Sequence, residues 1–165
     1  MDIGALIIIL AITVVIALPF IIIYLNKKRK YLKFENDFIK LAQKESVTLS
    51  KKEIWNHRYA IGFDNNSKKI IYANKKKDNV ECSVIDLTDV SKCNILSVNK
   101  TFKNQNGKNA LTDRLELVFT FRNPQNPEKN LEFYESTDFM PNEEERAQIE
   151  NWLQIVNSNL KEFKN

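Results

Sequence analysis

The sequence predicts an α+β chain: one N-terminal transmembrane helix, then an antiparallel β-sheet or partly open barrel closed by a C-terminal amphipathic helix. Three observations predict it. Ile3 to Leu25 is a run of 23 residues without a charge. From Ser46 to about residue 136 the apolar residues alternate in twos between clusters of turn formers. The last stretch returns to the three- and four-residue spacing of a helix with one apolar face.

An apolar run of that length rises about 35 Å as a helix and covers a hydrocarbon core of about 30 Å. Thr13 is able to bond back to the helix, Pro19 is tolerated with a local kink, and Tyr24 suits the interface. An uncleaved anchor is expected rather than a signal peptide. The run exceeds an h-region, only Met1 and Asp2 precede it, and no small-x-small site stands before the polar boundary. Asn26, Lys27, Lys28, Arg29 and Lys30 follow at once. Flanking cations stay on the cytoplasmic side, so the N-terminus is expected outside and the bulk of the chain in the cytoplasm, at a cell inner membrane.

Charge divides along the chain. Asn26 to Asn79 holds 15 Lys and Arg against 6 Asp and Glu, whereas Val80 to Asn165 holds 10 against 14. The basic half is the half next to the apolar run, where anionic headgroups attract cations. That accounts for a pI near 9 without nucleic acid as a partner. The candidate membrane-surface residues are Lys27, Lys28, Arg29, Lys30, Tyr31, Lys33 and Phe34.

Lys27 to Glu45 reads as a helix leaving the membrane, with Tyr31, Phe34, Phe38, Leu41 and Ala42 on one stripe. Its partner is the interface, the soluble part, or a second copy. The expected division is an anchor over 1–25, a basic juxtamembrane helix over 26–46 and a cytoplasmic domain over 47–165.

Trp55, His57, Tyr59, Ile61 and Phe63 alternate as a first strand, and Asp64 to Ser67 make a turn because Asp and Asn bond their own backbone. Lys69 to Ala73 returns. A second turn spans Lys75 to Asn79, followed by strands over Val80 to Ile85 and Cys93 to Val98. Lys103 to Asn109 reads as an exposed connection. Arg114 to Arg122 is the clearest strand, the prolines of Asn123 to Pro127 end it, and Leu131 to Glu135 returns. Asn142 with Glu145 forms a capping box for a last helix whose stripe is Ile149, Trp152, Leu153, Val156, Leu160 and Phe163.

The chemistry-bearing residues are sparse. Cys82 and Cys93 lack CxxC spacing and read as buried thiols of a reducing compartment. His57 is the only histidine, and the glycines are Gly4, Gly62 and Gly107, so neither a metal site nor a phosphate loop is expected. The carboxylates fall in turns or on helix surfaces, and no catalytic residue, cofactor site or enzymatic activity is expected. A possible basic rim is Lys68, Lys69, Lys75, Lys76 and Lys77.

Tyr59-Ala60-Ile61-Gly62-Phe63-Asp64, a turn, Lys69-Ile70-Ile71-Tyr72-Ala73, and later Val84-Ile85-Asp86-Leu87-Thr88-Asp89-Val90-Ser91-Lys92-Cys93 carry a resemblance. The order of basic anchor, hairpins and one terminal helix is similar to bacterial pleckstrin-homology-like domains on a short membrane anchor, over residues 54 to 163. Asp64-Asn65-Asn66-Ser67 stands where the commonest form has Thr-Asn-x-Arg. The resemblance implies a PH-like fold, which elsewhere serves lipid, peptide and protein binding. The expected role is a single-pass, non-catalytic binding or scaffolding module with a protein partner. The alternatives are a sensor of anionic lipid surfaces and an accessory subunit of a membrane complex.

Overall fold

The computed structural model describes residues 3–76, 79–104, 107–136 and 143–162. Helix α1 runs unbroken over Ile3–Lys44, 42 residues with Pro19 inside. At 1.5 Å per residue it is about 63 Å long, twice what a bilayer core needs. It is the one described helix long and apolar enough to cross a membrane, and none of its apolar window is buried. The helix passes residue 25 without interruption, in keeping with the reading of Lys27 to Glu45 as a helix that continues from the apolar run.

Four strands form one antiparallel sheet in the order β1 (Lys51–Trp55), β2 (Tyr59–Asp64), β3 (Lys69–Lys76) and β4 (Asn79–Asp86). After a single 3-10 turn at Leu87–Asp89, β5 (Val90–Asn104), β6 (Gly107–Phe121) and β7 (Lys129–Glu135) form a second antiparallel sheet. Helix α2 (Glu143–Glu162) follows. Among the described residues the ladders make two antiparallel sheets and no closed barrel, where an antiparallel sheet or partly open barrel was expected. The α+β class holds.

Several expected boundaries move. The first expected strand is a hairpin: Asn56 and His57 both adopt φ of 51°, and the Arg58 amide closes the turn on the Trp55 carbonyl at 3.2 Å. Two consecutive left-handed residues give the twist that tight hairpins need. Lys75 and Lys76 belong to β3, paired with Val80 and Asn79, and are not turn residues. Lys103 to Asn109, expected as a connection, instead contains strand ends, with Lys103 opposite Lys108 and Asn104 opposite Gly107. Asn142 and Phe163 lie outside the described residues.

The main core lies between the inner sheet faces and α2. Alternation supplies Tyr59, Ile61 and Phe63 from β2, and Leu115, Leu117 and Phe119 from β6, all buried. Ile149, Trp152, Val156 and Leu160 of α2 close it, at the helical spacing the sequence shows. A second core lies on the opposite face of the first sheet, under α1.

Candidate functional site

The second core is where the helix meets the sheet. Phe34, Phe38 and Ala42, spaced four apart, are buried on the outer face with Ala60, Ile71 and Ala73. The cross-strand pairs Ala60–Ala73 and Gly62–Ile71 keep three of four positions small, which lets the helix come close. A Cβ on Gly62 would overlap Leu49 and stand 3.3 Å from the Phe38 ring.

Polar contacts guide both ends of this seat. Lys52 Nζ donates to Glu35 Oε1 at 2.6 Å, and the Tyr31 ring meets His57 edge-on at 5.9 Å between centroids. The helix closes with Ser46 at φ of 56°, its amide donating to the Gln43 carbonyl at 3.1 Å, while the Val47 amide donates to Ala42 at 2.8 Å. This left-handed cap turns the chain back, so that Val47 and Leu49 join the same cluster. Asp64 then holds the return: its carboxylate accepts from the amides of Thr48 (2.8 Å), Asn66 (2.9 Å) and Ser67 (3.2 Å). The Thr48 amide, with those of the turn, lowers its pKa to about 2 against the opposing effect of burial.

The structure divides the residues expected at the membrane surface. Lys27, Lys28, Arg29, Lys30 and Lys33 are exposed on α1 just beyond the apolar run. Tyr31 is half-buried beside His57, and Phe34 is 2% exposed under the sheet. Phe34 thus belongs to the core under the sheet, where the small residues of β2 and β3 admit its ring.

The expected basic rim does not assemble. Lys68 and Lys69 stand at one end of β3 and Lys75 and Lys76 at the other, about 20 Å away along the strand. Lys68 donates to Asn159 at 2.8 Å and pairs with Glu162 at 3.1 Å, tying the turn to α2. Lys76 pairs with Glu81 at 3.1 Å. Lys77 lies outside the described residues. Of the two cysteines, Cys93 is buried, and burial pushes its thiol up to about 12. Cys82 is exposed on β4, correcting the expectation that both are core thiols.

One cluster escaped the sequence reading. Arg58 Nη2 donates to Glu132 (3.0 Å) and to Glu135 (3.1 Å), while its Nε donates to Asn74 (3.1 Å). The Tyr59 hydroxyl donates to the same Glu132 oxygen at 2.6 Å, and the Tyr72 hydroxyl donates to the Glu132 carbonyl. Burial first, and then the Glu132 carboxylate, raises the Tyr59 pKa, so this phenol stays a donor. Trp55 adds an indole bond to the Phe133 carbonyl at 2.9 Å and stacks on Phe133. These groups clasp β1, β2 and β3 to β7, joining two sheets that share no ladder among the described residues. The bonds to β7 join residues 60 to 78 apart in sequence, so no local pattern announces them.

Surface clefts lie beside these features. One of about 500 Å³ borders the α1 cap at Ile39, Gln43, Ser46 and Thr48. Another, acidic, lies between Glu53, Asn56, Glu144 and Glu145. Among the described residues, no three His, Cys, Asp or Glu side chains group as a metal site. Against known proteins, no family model, no curated protein and no solved structure matches the chain.

Proposed function

We propose that the chain is a single-pass membrane protein whose PH-like domain is a non-catalytic binding or scaffolding module, held in fixed orientation on the cytoplasmic side of the inner membrane. One observation carries this reading: none of the described apolar window of α1 from Leu10 onward is buried, and the same unbroken helix ends buried in the domain. A flexible linker would let the domain sample all orientations, whereas a helix seated through Phe34, Phe38 and Ala42 presents one face of the domain to a partner. The N-out, C-in orientation is supported by the exposed cations that follow Leu25. The PH-like assignment is supported by the succession of four strands, three strands and one closing helix, together with the phrase from Val84 to Cys93.

Crosslinking of the full chain in its native membrane, read by mass spectrometry, tests the role. The expected result is a reproducible protein partner recovered with the wild type and lost with Gly62→Leu, which unseats the helix without touching the apolar run. Recovery of the same partner from both sinks the fixed-orientation scaffold, and a membrane protein that no crosslink reaches sinks the binding module.

A further inference from the structure

The seat under the first sheet fixes how α1 lies along it. Going away from the apolar run, Tyr31 meets His57, Glu35 accepts from Lys52, and past the helix cap the Thr48 amide donates to Asp64. Strand β1 therefore runs back toward the apolar run, and the turn at Asn56 and His57 is the end of β1 and β2 nearest to it. The opposite turn, Asp64 to Ser67, lies the length of β2 away, about 20 Å.

The height of the near turn follows from helix geometry. Tyr31 lies six residues past Leu25, about 9 Å along the axis. A helical side chain covers the turn before its own Cα, so the Tyr31 ring stands at the level of Lys27 to Lys30. The His57 ring meets it edge-on, with 5.9 Å between centroids. A headgroup layer is about 5–8 Å thick on each side of the hydrocarbon core, and the exposed cations after Leu25 belong in it. Asn56 and His57, both exposed, stand at the same height.

Charge is not what brings the turn there. Of Arg58, Lys75 and Lys76 beside it, Arg58 is paired with Glu132 and Glu135, and Lys76 with Glu81. Asn56 itself donates to Glu145 at 2.6 Å. Carboxylates thus match most of the local cations, and the position of the turn depends on the helix to which it is tied.

We propose that the β1–β2 turn, Asn56 with His57, is a second contact with the bilayer, held among the phospholipid headgroups of the leaflet from which α1 emerges by the seating of α1 and not by attraction to anionic lipid. The contact rests on the reading of α1 as inserted. It adds to that reading the end of the domain that meets lipid, and with it the end, at Asp64 to Ser67, that faces away.

Nitroxide labels on the full chain test it, in phosphatidylcholine liposomes that contain a nickel-chelating lipid, with and without phosphatidylglycerol. Cys82→Ser removes the exposed thiol and Cys93 is buried, so each label sits on one introduced cysteine. The positions are Asn56→Cys in the turn, Lys76→Cys beside it, Asn65→Cys at the far turn and Lys28→Cys among the cations after Leu25. Lys76 reports on the same end because the neighbouring Lys75 amide donates to the Arg58 carbonyl at 2.7 Å. Asn56 is left-handed, so if its cysteine variant does not fold, Lys76→Cys carries the test. The nickel is expected to relax labels at 56 and 76 as it does at 28, and about fivefold more than at 65, in both bilayers and in molar salt. Relaxation at 28 alone overturns the contact and leaves the anchor standing. Relaxation at 56 and 76 that needs phosphatidylglycerol, or that molar salt abolishes, assigns the turn to electrostatic attraction and overturns holding by α1. Equal relaxation at 56 and 65 overturns the fixed end. Absence of relaxation at 28 removes the anchor and the contact together.

Discussion

Phe38 is seated on Gly62. The Phe38 ring is fully buried, and any Cβ on Gly62 would stand 3.3 Å from it and overlap the terminal methyl of Leu49. The absence of one side chain is thus what lets α1 reach the sheet. Phe38→Ala empties the seat and costs about 3–5 kcal/mol. Gly62→Ala is milder, about 1 kcal/mol, since the end of Leu49 can give way, and Gly62→Leu exceeds it. Each kcal/mol lowers the melting temperature by about 2–4 °C in a chain of this size. Leu49→Ala is expected to relieve Gly62→Ala, so thermal melts in detergent of the two single variants and the double variant should be non-additive. Additive losses contradict the seat.

The clasp between the sheets turns on the Glu132 carboxylate, which accepts from both Arg58 and Tyr59. Glu132→Ala leaves a half-buried guanidinium and a buried phenol short of an acceptor and costs about 2–4 kcal/mol. Arg58 keeps Glu135 and Asn74, which holds the loss below that of a fully orphaned charge. Tyr59→Phe removes one donor and costs about 1 kcal/mol. Urea denaturation followed by tryptophan fluorescence reads both, because Trp55 stacks within the same cluster. A loss for Glu132→Ala no larger than for Tyr59→Phe would show that the clasp does not join the sheets.

Asp64 makes the fold sensitive to acid. Its folded pKa is about 2, below the ordinary value of 3.8, because three amides donate to the carboxylate. A depressed folded pKa stabilises the native state fully above the unfolded value, and the gain is lost as pH falls from about 4 through about 2. Asp64→Asn is expected to lower stability at neutral pH and to flatten the dependence between those limits. Denaturation midpoints of both proteins across that range check it, and parallel curves reject it.

The elements with internal periodicity were legible in the sequence, and the contacts between elements were not. The stripe of Ile149, Trp152, Val156 and Leu160 marks α2 unaided, as the alternation of Leu115, Leu117 and Phe119 marks β6, because each pattern repeats within one element. The stripe of Phe34, Phe38 and Ala42 announced a buried face but not its partner; Gly62, which receives it, reads in isolation as an ordinary strand residue. The Asn56–His57 turn was hidden for a related reason. Trp55 and Tyr59 face each other across the hairpin with stacked rings, so they carry on the two-residue rhythm that a single strand would show. No Gly or Pro interrupts it, and the left-handed conformation falls on Asn and His. Of the expected site residues, the cations after Leu25 stayed exposed because helical exposure follows from local charge. The supposed rim dispersed because strand length, not composition, sets the distance between Lys69 and Lys75.

Ser46 offers a gain of stability rather than a loss. It occupies the left-handed position that ends α1, at φ of 56°, where an L-residue other than glycine is strained by its Cβ. Its amide bond to Gln43 is a backbone contact and survives substitution, and its side chain is exposed. Ser46→Gly is therefore expected to stabilise the chain by about 0.5–1 kcal/mol, the relief of strain exceeding the added freedom of the unfolded backbone. Ser46→Val, β-branched at the same position, should destabilise by more than that amount. Because the cap directs Val47 into the cluster under α1, the effect should appear both as a shift in the melting temperature and as slower amide exchange at Val47 in the glycine variant. A glycine variant less stable than wild type would show that this turn is not the fixed end of the helix.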